Sequence, residues 1–260
     1  MIRVGVIGAH GRMGREVCRA VSQDPDMTLV AAVDRSGAGE PALQEGAGPE
    51  PSISDDLETL LQAETEVAVD FTHPDVVMDH IRWAIEHHVH IVVGTTGISP
   101  DDLEEIRQLM EKEAGEGGVI VAPNFAIGAV LAERFAAQAA RYFPAAEIVE
   151  LHHDQKADSP SGTSLSAARR IVAQRAQDYR GPERESLKGS RGGDLEGVRV
   201  HSVRLPGLVA HQEIILGGPG QVLTIRHDSM DRASFMPGVL LAIREIARRP
   251  GLTVGLEPLL

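Results

Sequence analysis

The first 125 residues alternate short β-rich segments with amphipathic helical segments, and this alternation constrains the fold more than any other feature. It predicts strands at residues 2–7, 28–33, 66–71, 89–93 and 118–122, with helices between them at residues 12–23, 75–88 and 100–113. Strands separated by helices form a parallel sheet that helices cover on both faces. The sequence therefore predicts the α/β class, with a doubly wound parallel sheet of the Rossmann type.

The pattern changes after Phe125, and a chain of 260 residues is long enough for a second domain. A helix near 127–142, the strand E-I-V-E-L-H-H and a helix near 163–178 precede three further strand-like segments. This order predicts a smaller α+β domain with an open mixed sheet. We expect domains at residues 1–126 and 127–230, and a C-terminal helix at residues 231–260 that packs back on the first domain.

Composition argues against several classes of protein. The formal net charge of −13 opposes binding to nucleic acid and to acidic membranes, so any anionic substrate must be captured by local positive charge. The single cysteine, Cys18, cannot form an intramolecular disulfide. No stretch approaches the roughly 18 uncharged apolar residues of a membrane helix, and the N-terminus lacks a signal-like apolar segment. We therefore expect a soluble, cytoplasmic protein.

A glycine-rich turn follows the first predicted strand directly. Its residues are Gly8, Ala9, His10, Gly11, Arg12, Met13 and Gly14. Such a turn lets the backbone approach a pyrophosphate, which binds the free amides at the N-terminus of the next helix. Asp34 lies twenty residues past Gly14, at the end of the second strand, where a carboxylate accepts ribose hydroxyls. The sequence predicts a dinucleotide site, and the alternative is a purely structural turn.

Two other loops lie at the carboxyl ends of predicted strands, the sheet edge at which open α/β sheets bind ligands. The candidate cofactor contacts in these loops are Gly94, Thr95, Thr96, Ala122, Pro123, Asn124 and Phe125. Small and hydroxyl residues would let a nicotinamide or ribose lie against the backbone, and Asn124 would hydrogen-bond a carboxamide. The alternative is that both are ordinary strand-to-helix turns.

The segment E-L-H-H-D-Q-K-A-D-S-P-S-G-T at residues 150–163 concentrates unusual chemistry. His152, His153 and Lys156 fall directly before a helix that begins near Gly162 and Thr163. Imidazole exchanges protons near neutral pH, and a helix start offers amides to an anion. These residues predict a pocket for an anion that also needs a proton. A structural strand end with surface histidines is the alternative.

We expect no metal site. Adjacent residues on a strand point to opposite faces, so His152 and His153 would rarely bind one ion. His87, His88 and His90 straddle a helix end and a strand start. Two other classes of protein stay open: a nucleotide-sensing regulator, which would have no use for His152 and Lys156, and a zinc hydrolase, which elemental analysis would detect.

These motifs resemble the 4-hydroxy-tetrahydrodipicolinate reductase family, long called dihydrodipicolinate reductases, of the diaminopimelate and lysine pathway. The segment at 150–163 is similar to the family's catalytic signature, and G-A-H-G-R-M-G, V-V-G-T-T-G and A-P-N-F-A-I-G resemble its cofactor loops in the same order. Similarity continues through L-V-A-H-Q-E and L-T-I-R-H-D-S, and it is greatest to forms from actinobacteria.

The resemblance implies a reaction. A small cyclic imine with two carboxylates loses water and is reduced by hydride from a nicotinamide cofactor. It implies that His152 donates or accepts a proton beside the substrate ring, with Lys156 as a second donor, and that His153, Gly162 and Thr163 contact substrate. It also implies a homotetramer and domain closure. Asp34 favours NADH and Arg35 offsets repulsion of the NADPH phosphate, so we expect both cofactors to work, with NADH equal or moderately better.

Overall fold

The computed structural model describes residues 1–43, 51–113, 117–176, 179, 181 and 184–260. The strands, in chain order, are β1 (Ile2–Ile7), β2 (Met27–Val33), β3 (Ile53–Ser54), β4 (Val67–Asp70), β5 (His90–Val93), β6 (Gly118–Val121), β7 (Ala145–His152), β8 (Gly193–Leu195), β9 (Val198–Arg204), β10 (Ala210–Gly218), β11 (Gln221–Ser229) and β12 (Gly251–Val254). The α-helices are α1 (Arg12–Gln23), α2 (Glu58–Gln62), α3 (Pro74–Glu86), α4 (Pro100–Lys112), α5 (Ile127–Ala140), α6 (Gly162–Gln174) and α7 (Met236–Ile246).

The chain divides into two compact units, one of Met1–Phe125 with Phe235–Leu260 and the other of Ala126–Ser234. The first unit contains a seven-stranded sheet in the order β12-β6-β5-β4-β1-β2-β3. All its strand pairs are parallel. The predicted Rossmann-type sheet is confirmed. The strand order reverses beside β1, so the loop after β1 lies at the position where such sheets bind ligands.

The second unit contains a five-stranded mixed sheet in the order β11-β10-β7-β9-β8. Its central strand β7 pairs parallel with β9 and antiparallel with β10. Buried and partly buried residues alternate along β7 and β10, as expected of a sheet with one face against a core. That core is rich in small residues from α5 and α6, including Ala136, Ala140 and Ala167, which pack against Ile148 and Ile214.

The predicted C-terminal helix is wrong in extent. Residues 232–235 form a single 3-10 turn, and α7 begins only at Met236, because Pro237 has the fixed φ and missing N–H that suit a first helical turn. After Pro250 the chain continues as β12, which pairs with β6 in the first sheet. The short elements β3, α2 and β8 were also not predicted, since two to five residues carry no periodicity. The helix expected to reach residue 178 ends at Gln174, and residues 177 and 178 lie outside the described residues.

Of the helices in the described part of the chain, none is long and apolar enough to cross a membrane.

Candidate active site

In the glycine-rich turn after β1, backbone segments lie too close together to leave room for a Cβ atom at two of the glycines. Gly8 has φ +83°, and a Cβ on it would lie 2.5 Å from the carbonyl oxygen of Phe71. A Cβ on Gly14, within α1, would lie 1.9 Å from the carbonyl oxygen of Gly8. Any side chain at these two positions would displace the backbone. The glycines therefore allow α1 to begin directly against the end of β1.

The same turn leaves the start of α1 open. Gly11 is the N-cap residue of α1, and because it has no side chain it cannot cap the first-turn amides itself. Arg12 is exposed and Met13 is partly buried beside these amides. Uncapped amides, the positive end of the helix dipole and a backbone without Cβ atoms fit the diphosphate of a dinucleotide.

Asp34 lies just past β2 and braces this turn. Its Oδ2 accepts the amide of His10 at 3.0 Å, and its Oδ1 accepts the amide of Ser36 at 2.8 Å. The ring of His10 lies against Gly37, where a Cβ would come within 2.6 Å of a ring carbon. Arg35 is exposed. Asp34, the residue predicted to bind the ribose, therefore lies beside the glycine turn, and the ring of His10 packs against Gly37 next to it.

A buried carboxylate holds the loops after β4 and β5 together. Asp70 is fully buried, and its Oδ1 accepts the hydroxyls of Thr72 at 2.8 Å and Thr95 at 2.6 Å. The hydroxyl of Thr95 in turn accepts the amide of Thr72 at 2.7 Å. The imidazole Nδ1 of His80, on α3, lies 2.7 Å from Oδ2 of Asp70. Sequence reasoning missed Asp70 and His80; an acid as the last residue of an apolar strand was the available signal.

An aromatic contact joins the loop after β6 to the loop after β4, at the carboxyl ends of the parallel strands. The rings of Phe71 and Phe125 are 5.9 Å apart. A Cβ on Gly94 would lie 2.1 Å from the Phe71 ring, so this glycine makes room for the aromatic side chain. Of the other candidate contacts, Ala122 is buried, Asn124 is partly buried, and Thr96 and Pro123 are exposed. The structure brings the two loops predicted as cofactor contacts, after β5 and β6, together with the loop after β4.

In the second unit, β7 ends at the candidate proton-transfer residue. The Nδ1 atom of His152 lies 2.5 Å from Oε2 of Glu150, two residues earlier on the same face of the strand. The carboxylate of Glu150 is fully buried, and the imidazole is 15% exposed. His153, the first residue after β7, is exposed. Because an ionised carboxylate only accepts hydrogen bonds, Nδ1 carries the proton and Nε2 is left for proton exchange.

Burial and neighbouring charge set the pKa values of this pair. Burial lowers the pKa of His152, and it outweighs Glu150, which raises it; the charges of Lys156 and Arg204 lower it further. Burial acts to raise the pKa of Glu150, but hydrogen bonds from Arg204, Ser202 and His152 together lower it. At neutral pH the pair is therefore a carboxylate beside a neutral imidazole.

Lys156 lies in the loop that follows. Its ammonium donates to both carboxylate oxygens of Asp158, at 2.7 and 2.9 Å. The hydrogen bond from Lys156 is the main cause that lowers the pKa of Asp158. The Asp158 side chain is 60% exposed, so this ion pair is weak enough for another anion to compete for the ammonium.

The helix α6 begins at the end of that loop. Ser161 is its N-cap: its hydroxyl oxygen accepts the amide of Ser164 at 3.2 Å. The hydroxyl of Ser164 donates to Gln212 of β10 at 2.6 Å, which ties the helix start to the sheet. Gly162 and Thr163 are the first two residues of α6, and a Cβ on Gly162 would meet open space. Their amides thus lie at an accessible helix N-terminus.

Family models match nearly the whole chain. The dihydrodipicolinate reductase N-terminus model matches residues 2–125, and the C-terminus model matches residues 128–260. The chain belongs to the dihydrodipicolinate reductase family. Membership of this family, together with the Rossmann-type sheet, shows that the chain is an oxidoreductase that uses a nicotinamide cofactor.

Individual relatives cover the chain from end to end. The 4-hydroxy-tetrahydrodipicolinate reductase of Nocardia farcinica is 52% identical, over 100% of this chain and 98% of the relative. That of Mycolicibacterium vanbaalenii is 49% identical, over 100% and 99%. A solved dihydrodipicolinate reductase from Paenisporosarcina sp. TG-14, described with dipicolinate bound, is 42% identical with a TM-score of 0.89 and full coverage of both chains. A probable dehydrogenase from Thermotoga maritima shares the fold at 13% identity and a TM-score of 0.65, over 99% of this chain and 92% of that one.

Proposed function

We propose that the chain reduces 4-hydroxy-tetrahydrodipicolinate to tetrahydrodipicolinate, with loss of water, in the pathway to diaminopimelate and lysine. One observation carries the proposal beyond family membership. A single stretch of chain, from Glu150 to the start of α6, holds an oriented imidazole, an ammonium and an open helix N-terminus. A dianionic cyclic imine needs a proton donor and positive contacts for its two carboxylates, and these three groups supply both.

The first unit would hold the cofactor. The residues are Gly8, Ala9, His10, Gly11, Arg12 and Met13 at the diphosphate, Asp34 and Arg35 at the adenosine ribose, and Gly94, Thr95, Thr96, Ala122, Pro123, Asn124 and Phe125 toward the nicotinamide. When bound, the reduced nicotinamide supplies a hydride. We expect both NADH and NADPH to be used, with NADH equal or moderately preferred, because Asp34 and Arg35 act in opposite directions on the NADPH phosphate.

His152 would handle the proton. Nε2 is its free ring nitrogen, because Nδ1 is held by Glu150 at 2.5 Å. The two carboxylates of the substrate bring negative charge near the ring and raise the pKa of His152, so it binds a proton when substrate binds. It then gives this proton to the ring nitrogen as negative charge develops there. Lys156 acts as the second donor.

The start of α6 would bind one substrate carboxylate, through the amides of Gly162 and Thr163 and the hydroxyl of Thr163, with His153 nearby. The Paenisporosarcina relative is described with dipicolinate bound, which supports a dicarboxylate as the class of substrate. We also propose a homotetrameric enzyme of the cytoplasm. Sedimentation of the purified chain tests the assembly.

A coupled assay tests the reaction. Freshly generated substrate is added to purified chain with NADH, and the loss of reduced-nicotinamide absorbance is followed. We expect substrate-dependent oxidation. A chain that binds NADH but never oxidises it would be a nucleotide-binding regulator, and the proposal would be wrong.

Dipicolinate tests the carboxylate site. It should compete with substrate, and Thr163→Val should weaken its inhibition by about tenfold to a hundredfold, since one hydrogen bond to a charged group contributes about 1.5 to 3 kcal/mol. Thr253→Val, on β12 of the first sheet, is the matched control and should leave inhibition unchanged. Equal inhibition of wild type and Thr163→Val would place the carboxylate elsewhere.

A further inference from the structure

Arg204 stands opposite the candidate proton donor in the sheet. It is the last residue of β9, and its Cα partner in the parallel pairing with β7 is His152. The guanidinium meets the buried carboxylate of Glu150 with two parallel hydrogen bonds, Nη1 to Oε2 and Nη2 to Oε1, each of 2.8 Å. Paired bonds of this kind fix geometry as well as charge. Oε2 is also the atom that contacts Nδ1 of His152.

The same guanidinium also holds the loop that carries Lys156. Its Nε donates to the carbonyl oxygen of Lys156 at 3.2 Å, and its Nη2 donates to the carbonyl oxygen of Asp158 at 2.6 Å. One further bond, from Nη1, goes to the carbonyl of Val203 at 2.8 Å. The Arg204 side chain is 18% exposed. One planar cation therefore contacts the carboxylate that holds His152 and the backbone of the loop that carries Lys156.

We propose that Arg204 is a positioning residue: through Glu150 it fixes the ring of His152, and through two loop carbonyls it fixes the backbone around Lys156. The inference rests on the proposed function. Arg204 acts on the reaction through these neighbours, without a contact to substrate of its own. The rigid five-donor fork is what the site requires, because an ammonium cannot bond both carboxylate oxygens and two carbonyls in one plane.

The charge of Arg204 has a second effect. The charged groups that face His152 are Glu150 on its own strand, Arg204 on β9 and Lys156 in the loop, and its register partner on β10 is the uncharged Ala210. With Arg204 present, the negative charge of Glu150 is balanced without a proton on the imidazole. Without it, Glu150 would face His152 as its main partner and would retain a proton on the ring. Removing the cation should therefore raise the pH at which His152 titrates.

Two variants test the inference. In R204K we expect kcat/KM to fall about tenfold or more, because a positioned acid contributes at least that much and its position is lost. In R204Q we expect a similar fall, and a His152 titration that moves to higher pH, read by NMR of the imidazole and in the pH profile of kcat/KM. NADH affinity should stay within about twofold of wild type. R199Q, on the same strand and paired with Asp194, is the matched control and should change none of these.

Further measurements separate this inference from loss of folding and from failure of the proposed function. If R204Q does not fold, E150Q with Arg204 in place is measured. If the two residues act as one unit, the double variant E150Q/R204Q should lose no more kcat/KM than the worse single variant. The NMR titration needs no turnover, so it stands even if the chain reduces a different substrate. A His152 titration that does not move in R204Q or E150Q, with kcat/KM within about twofold of wild type in R204K, would overturn the inference.

Discussion

Each of the two units contains a fully buried carboxylate that contacts the Nδ1 atom of an imidazole: Asp70 with His80 at 2.7 Å, and Glu150 with His152 at 2.5 Å. In both pairs the carboxylate is 0% exposed and the imidazole 15% exposed. The remaining partners differ. Asp70 accepts neutral donors among these, hydroxyls and an amide from strand-end loops, whereas Glu150 accepts the guanidinium of Arg204 in addition to the amide of Ser161.

The difference shows how one pair of side chains serves two purposes. The hydroxyl and amide donors of Asp70 come from the strand-end loops, so its pair with His80 organises the shape of those loops. The guanidinium of Arg204 balances the negative charge of Glu150 directly. His152, at the end of β7, therefore keeps Nε2 available for proton exchange. We infer that the first pair supports cofactor binding and the second supports proton transfer.

The largest expected effect is on turnover, at the second pair. His152→Gln and Lys156→Ala should each lower kcat by about a hundredfold or more, the usual scale for a positioned acid, with NADH binding intact. His201→Gln is a matched control, because its imidazole also contacts a carboxylate of the same sheet, Glu147, at 2.8 Å. Near-normal turnover in either variant would remove that residue from the mechanism, as would an equal loss in the control.

At the first pair we expect a loss of cofactor affinity instead. His80→Leu removes the partner of Asp70 on α3, and leaving a buried acceptor unpaired costs about 1 to 3 kcal/mol. With the loops after β4 and β5 loosened, the dissociation constant of NADH should rise several-fold, with kcat within about twofold of wild type. Nicotinamide fluorescence measures the dissociation constant of NADH, and the coupled assay measures kcat. His87→Leu, the C-cap of the same helix, is the control. A fall in kcat without a change in NADH affinity would contradict the division.

The two regions also differ in how far sequence could predict them. The glycine turn at 8–14 was predicted as a turn between strand and helix, and it lies where expected, because the local order of residues encodes it. Arg204 is 54 residues from Glu150, and His80 is on a helix that follows Asp70, so neither pair has a local signature. Likewise, β12 is four residues long and becomes a strand only by pairing with β6. Contacts set by sheet pairing escape single-sequence reasoning.

The pH dependence of stability should separate the two ionisable members of the second pair. The pKa of His152 is lowered from 6.5, chiefly by burial, so the unfolded chain takes up a proton at a pH where the native chain does not. Stability should therefore fall as pH drops through about 6.5 and level off below the native pKa. The slope is at most about 1.4 kcal/mol per pH unit for one proton. His90 and His227 are lowered by burial in the same direction and add to this window.

Glu150 changes the stability over a lower pH range than His152 does. Its native pKa is lowered from 4.5, so its stabilisation is present above that pH and is lost as pH falls further through the native value. Urea unfolding at a series of pH values measures both. His152→Gln should reduce the slope near pH 6.5 in part, and it should also narrow the lower range, because His152 is one of the groups that lower the pKa of Glu150. An unchanged slope near pH 6.5 in that variant would show that His152 titrates alike in the native and unfolded chains.

The smallest expected effect concerns a third carboxylate, Asp34, which differs from both buried ones. It is partly exposed and accepts the backbone amides of His10 and Ser36, so its charge is available to a ligand. Asp34 should accept the ribose hydroxyls of NADH and repel the additional phosphate of NADPH, and Arg35 should offset that repulsion with a bidentate contact. The ratio of kcat/KM values should move toward NADPH in Asp34→Ala and toward NADH in Arg35→Ala, by several-fold in each case. Asp34→Asn, which keeps the shape and one acceptor, should move it less than Asp34→Ala. Strict use of NADPH by wild type, or a ratio that neither alanine variant moves, would show that these side chains do not lie at the adenosine ribose.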